Sequence, residues 1–74
     1  MSEKITVVTG AAGHIGGNLV RALLAEGRAV RCLVRRDRRA LEGLEVEMVE
    51  GDIFDPASLR RLMTGAGTVF HLAG

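Results

Sequence analysis

The chain has no tyrosine and no tryptophan, and its only aromatic residues are Phe54 and Phe70. No tyrosine of this chain can therefore act as a catalytic acid or base. Base stacking has almost no ring to draw on, which argues against a nucleic-acid surface. A single cysteine, Cys32, excludes an internal disulfide framework and a multi-cysteine zinc site. No metal site is expected. Proline is as scarce, with Pro56 alone against ten glycines, so the turns are permissive rather than rigid. Charge of one sign is not in excess: ten Lys/Arg face nine Asp/Glu, a net charge of +1. That balance demands neither a nucleic acid nor an anionic membrane as partner. No apolar run approaches the roughly 20 residues of a membrane span. The segment Met1–Lys4 lacks the apolar core and cleavage site of a signal peptide, so a cytoplasmic location is the default expectation.

What is present suits one small domain. Of 74 residues, 47% are hydrophobic and 26% charged, which is apolar enough to fold. Lys4 to Thr9 reads as a buried strand ended by Gly10. A helix follows over His14 to Glu26, with Ile15, Leu19, Ala22 and Leu23 on one face and Gly27 as its stop. Ala29 to Val34 is a second strand, and Glu45 to Glu50 a third. Asp55 is a good N-cap, with Pro56 at the first helical position. That second helix runs to about Thr64, with Leu59, Leu62 and Met63 on its apolar face. Gly65-Ala66-Gly67 breaks it, and Thr68 to Leu72 is a fourth strand. Strands joined by helices imply an α/β fold with a parallel sheet and right-handed crossovers. The expected architecture is the parallel βαββαβ half of a Rossmann fold, strand order 3-2-1-4, with its switch point between strands 1 and 4.

Gly10, Gly13 and Gly16 follow a strand and open an amphipathic helix. The first glycine permits a tight turn, the second lets backbone approach a pyrophosphate, and the third allows close helix–strand packing. Three such glycines alone fit a plain strand-to-helix turn equally well. Their position between strand and helix, with a second strand at the right distance, favours a phosphate held at the helix N-terminus.

The run Thr9-Gly10-Ala11-Ala12-Gly13-His14-Ile15-Gly16 resembles the T-G-x-x-G-x-x-G cofactor motif of the short-chain dehydrogenase/reductase superfamily. Its Ile15-Gly16 ending resembles the extended type, the NAD-dependent epimerase/dehydratase family. Val30 to Arg35, Gly51-Asp52-Ile53 and Val69-Phe70-His71-Leu72-Ala73-Gly74 are similar to its dihydroflavonol reductase-like and sugar-epimerase-like branches. The resemblance spans essentially the whole chain, so residues 1–74 are expected to be the N-terminal part of an NAD(P)-binding domain. It implies cofactor contacts at Gly10, Ala12, Gly13, His14, Ile15 and Gly16. It also implies an adenine contact at Asp52, with Ile53 following. Leu72, Ala73 and Gly74 match the small-residue end of the fourth strand, on the ribose and nicotinamide side. Asp52 and Asp55 are both candidates for capping the second helix; Asp55 is taken as the cap and Asp52 as the ligand contact. Phe54 is read as a packing residue.

The end of the second strand decides which dinucleotide. NAD calls for an acid there to hold the ribose 2′-hydroxyl. Here Val34-Arg35-Arg36 stands in that place, and Asp37 comes two residues late. Arginine can stack on adenine and pair bidentately with a 2′-phosphate, whereas a carboxylate repels it. NADP is therefore favoured, with NAD as the alternative, and Arg35 and Arg36 as the contacts. At least two of Arg35, Arg36, Arg38 and Arg39 are ordinary solvated residues.

The family's chemistry needs a Tyr-x-x-x-Lys pair. This chain has no tyrosine, and Lys4 is its only lysine. Ser58 and Thr64 have no base in reach by sequence. His14 and His71 are assigned no catalysis, His71 being a structural hydrogen-bonding residue, and Cys32 is expected to be buried and inert. No catalytic residue is assigned. The expected function is the NAD(P)-binding portion of an epimerase/dehydratase/reductase-type enzyme. The alternatives are a stand-alone dinucleotide-binding module, a site for a flavin or mononucleotide, and a self-assembling Rossmann fragment. An open edge on the fourth strand would leave Val69, Phe70 and Leu72 partly uncovered and invite a homodimer or marginal stability.

Overall fold

The computed structural model describes residues 4–10, 14–35 and 41–72. Its elements are β1 (Ile5–Thr9), α1 (His14–Ala25), β2 (Val30–Val34), β3 (Glu47–Glu50), α2 (Pro56–Met63) and β4 (Ala66–His71). All strand pairs are parallel, and the four-stranded sheet has the order β3-β2-β1-β4. This is the βαββαβ half of a Rossmann fold that the strand–helix alternation implies.

β1 is central, and its β-branched run is buried because both faces are covered. Side chains alternate between the faces. On one face Val8, Val30, Cys32 and Val34 pack with Val20 and Leu23 of α1 and with Leu41. On the other, Val7 and Val49 pack with Leu62 of α2. Burial pushes the Cys32 thiol up to about 11, so it remains protonated and inert at neutral pH.

α1 ends in a Schellman arrangement at Gly27, which has φ +81°. The Gly27 amide donates to Leu24 O at 2.9 Å and the Arg28 amide to Leu23 O at 3.2 Å. The buried face of α1 differs from expectation. Ile15 is 73% exposed and Ala22 is exposed, while Val20 and Leu23 are buried. The sheet-facing line runs through Gly16, Val20 and Leu23. A count of large apolar residues passes over Gly16, so it starts the face one residue early.

On α2, Asp55 is the N-cap and Pro56 opens the helix. Leu62 is buried as expected, but Met63 is exposed, and Ser58 occupies the other buried position. Gly51 makes that fit possible: a Cβ there would lie 2.6 Å from Ser58 Cβ.

Two strand limits also move. β4 begins at Ala66, inside the segment expected to be a break, and ends at His71. Ile5 pairs with Ala66 and Thr6 with Thr68, so Gly67 is an extra residue at an irregularity of the ladder. A Cβ at Gly67 would lie 2.7 Å from Lys4 Cβ, which explains glycine inside this strand. β3 begins at Glu47 rather than Glu45, because the Val46 amide turns back to Leu44 O at 2.9 Å.

Arg31 is the unexpected member of the interior, only 7% exposed. Its guanidinium donates to Leu62 O at 2.9 Å, to Arg61 O at 3.3 Å, to Thr64 O, and to Glu47 Oε1 at 3.0 Å. A cation on β2 thus satisfies the last carbonyls of α2 and complements the negative end of its dipole.

Candidate functional site

Parallel strands bring their C-terminal ends to one edge of the sheet, and the candidate residues collect there. β1 ends at buried Thr9, followed by Gly10 in a left-handed turn at φ +74°. Only glycine adopts that backbone without a Cβ clash. α1 then starts at His14, and its first turn carries no acidic side chain. Ile15 is directed away from the sheet core and is exposed.

β4 lies on the other side of β1. Thr9 Oγ1 and His71 Nδ1 are 2.6 Å apart, and the Leu72 amide donates to Thr9 O at 3.1 Å. His71 is thus held by a structural hydrogen bond at the switch point of the sheet. Sequence reasoning expected the role but not the partner, because Thr9 becomes adjacent only through the β1–β4 pairing.

β2 and β3 deliver the other pair. Gly51 N–H donates to Val34 O at 2.9 Å, which sets the ends of the two strands side by side. Arg35 follows β2 and Asp52 follows β3, and Arg35 Nη2 stands 3.6 Å from Asp52 Oδ2. Asp52 Oδ1 accepts the Phe54 amide at 2.9 Å, and the Asp52 amide donates to Ser58 Oγ at 3.3 Å. The carboxylate is therefore anchored, with acceptor capacity left over. The sequence contained both residues but no sign that they meet. Phe54 is 90% exposed, which overturns its reading as a packing residue. Ile53 is half-buried and Leu72 exposed. Ala12, Gly13, Arg36, Ala73 and Gly74 lie outside the described residues, as does the side chain of His14.

Asp55, by contrast, is committed to the fold. It accepts from Ser58 Oγ at 2.8 Å and from the Ala57 amide at 3.4 Å. The Ser58 hydroxyl foremost, with the Ala57 and Ser58 amides and Arg61, holds its carboxyl below the usual value of 3.8. The division of labour between Asp55 and Asp52 expected from the sequence is compatible with this geometry.

A shallow depression of about 440 Å³, lined by Leu24, Gly27, Arg28 and Leu44 among others, lies before β2 and β3 at the opposite edge of the sheet. It shares no residue with the candidate site. Among the described residues no cluster could hold a metal ion, and no helix is long and apolar enough to cross a membrane.

Fold and strand order define a Rossmann-type α/β unit of the short-chain dehydrogenase/reductase kind. The NmrA-like family model matches residues 1–74, and the chain belongs to that family. It is 51% identical over 70 residues to the sterol demethylase protein B of Methylococcus capsulatus, covering 92% of this chain and 21% of that protein. It is 44% identical over 68 residues to a putative dihydroflavonol 4-reductase of Synechocystis sp., covering 89% of this chain and 20% of that protein. Among solved structures, a short-chain dehydrogenase/reductase superfamily protein from Agrobacterium tumefaciens with bound NAD superposes with a TM-score of 0.80. Its identity is 34% over 95% of this chain and 20% of that one. The chain thus spans about a fifth of the length of these proteins.

Proposed function

We propose that this chain holds NAD(P) by its adenosine and pyrophosphate, with NADP favoured over NAD, as the cofactor-binding part of an epimerase/dehydratase/reductase-type short-chain dehydrogenase. The observation that carries this reading is the juxtaposition of Arg35 and Asp52 at the sheet edge where β1 ends in Gly10. The glycine turn and the acid-free first turn of α1 suit an anion, because helix N-termini present unpaired N–H groups and a positive dipole end.

In this reading Gly10, Ala12, Gly13, His14, Ile15 and Gly16 surround the pyrophosphate. Asp52 accepts the adenine amino group, and the Ile53 amide faces a ring nitrogen. Arg35, with Arg36, receives the 2′-phosphate, and Leu72, Ala73 and Gly74 leave room on the ribose and nicotinamide side. When bound, the nicotinamide supplies hydride chemistry. This chain contributes binding and orientation to it, and no catalytic residue is assigned here.

The test is titration with NADPH and NADH, repeated on Arg35→Asp. The expected result is a preference for NADPH that weakens or inverts in the variant. An unchanged preference would remove Arg35 from the site.

A second reading, self-assembly, is favoured by the position of β4 at the sheet edge with Val69 44% and Leu72 36% exposed. Its occupant is a second copy of the chain. Sedimentation over a range of concentrations should show a dimer whose fraction rises with concentration; a monomer throughout contradicts it.

A further inference from the structure

We infer that Asp52 is a specificity-determining residue that tempers the preference for a 2′-phosphate and keeps the site open to both NADP and NAD. The inference rests on the proposed dinucleotide site. It begins from the Arg35–Asp52 pair, whose 3.6 Å separation joins the residue placed at the 2′-phosphate to the residue placed at adenine. Both partners reach solvent, so the pair adds little to folding. Its effect falls on whatever binds there.

The two partners are not equally fixed. Asp52 is anchored by the Phe54 amide at 2.9 Å and tied to α2 through Ser58, whereas the Arg35 side chain is largely exposed. An incoming 2′-phosphate must therefore draw the guanidinium away from the Asp52 carboxylate. It must then sit close to that carboxylate's negative charge. A nucleotide with a free 2′-hydroxyl meets neither cost, since it carries no charge there and needs no guanidinium. The arginine supplies attraction for the phosphate and the aspartate opposes it, so selectivity is a difference between two terms. Because the pair is solvent-exposed, salt weakens both.

The probes are adenosine 2′,5′-bisphosphate and adenosine 5′-diphosphate, titrated calorimetrically against the chain and against Asp52→Asn and Arg35→Gln. Asparagine retains an oxygen for the Phe54 amide and an acceptor for adenine, and circular dichroism checks that each variant folds. Asp52→Asn should raise the affinity ratio of bisphosphate to diphosphate about three- to fivefold. Arg35→Gln should lower it about tenfold. Both shifts should shrink as salt is raised. If both probes bind and Asp52→Asn leaves the ratio unchanged, Asp52 does not set specificity, and this inference fails while the dinucleotide site stands. If neither probe binds the unaltered chain, the dinucleotide site itself fails and the inference with it.

Discussion

α2 begins on Asp55, whose carboxylate accepts the Ala57 amide and the Ser58 hydroxyl, and continues into Pro56, which has no amide to satisfy. α1 begins at His14, after Gly13 in the sequence, with no acid in its first turn. Both helices follow a strand of the same parallel sheet, and both start at the same sheet edge. α2 closes its N-terminus with its own Asp55 side chain, whereas in the proposed reading the N-terminus of α1 faces the pyrophosphate. A helix whose first amides and dipole are already answered has little to offer a phosphate. Asp55 belongs to the helix, whereas Asp52 lies at the strand end, where it accepts the Phe54 amide and stands beside Arg35.

The largest effect comes from placing an acid immediately ahead of α1, as Asp55 stands ahead of α2. Gly13→Asp places a carboxylate at the position before His14, and affinity for NADPH should fall about 100-fold while the circular dichroism spectrum is retained. Unchanged affinity would show that the two helix starts do not differ in function. The next effect acts on α2 alone. Arg31→Met leaves the carbonyls of Leu62 and Thr64 without their donor and should lower stability by about 1–3 kcal/mol in urea unfolding. The folded fraction of that variant should keep its preference between NADPH and NADH.

The smallest effect is a pH dependence. The folded-state pKa of Asp55 lies below its ordinary value, chiefly through the Ser58 hydroxyl. Its contribution is therefore present above the unfolded value of 3.8 and is lost as pH falls through the folded one. Asp55→Asn, which can still cap but cannot titrate, should show a smaller loss of thermal midpoint on acidification below about pH 4. An identical acid profile in both proteins would mean that other carboxyl groups govern the acid limb.

Strand and helix positions and the Asp55–Pro56 helix start were legible in the sequence because each rests on local chemistry: a β-branched run, a cap, a helix-compatible proline. The strand order followed from the right-handed crossovers of a doubly wound sheet. Three features were not. The buried face of α1 runs through Gly16, whose contribution is the absence of a side chain. β4 starts within Gly65-Ala66-Gly67, since Gly67 is needed against Lys4 of a distant segment. Arg31 is buried because the carbonyls at the end of α2 fold over it, thirty residues later in the chain. The candidate site divides in the same way. The residue types at Gly10, Arg35 and Asp52 are readable one by one. The Arg35–Asp52 and Thr9–His71 contacts exist only through strand pairing.

The most direct measurement is an equilibrium titration of the unaltered chain with NADPH, NADH and FMN. Saturable binding of NADPH, weaker binding of NADH and no binding of FMN are predicted. Absence of NADPH binding up to roughly millimolar concentration, where even a weak site is filled, would contradict a dinucleotide site at the Gly10–Arg35–Asp52 edge.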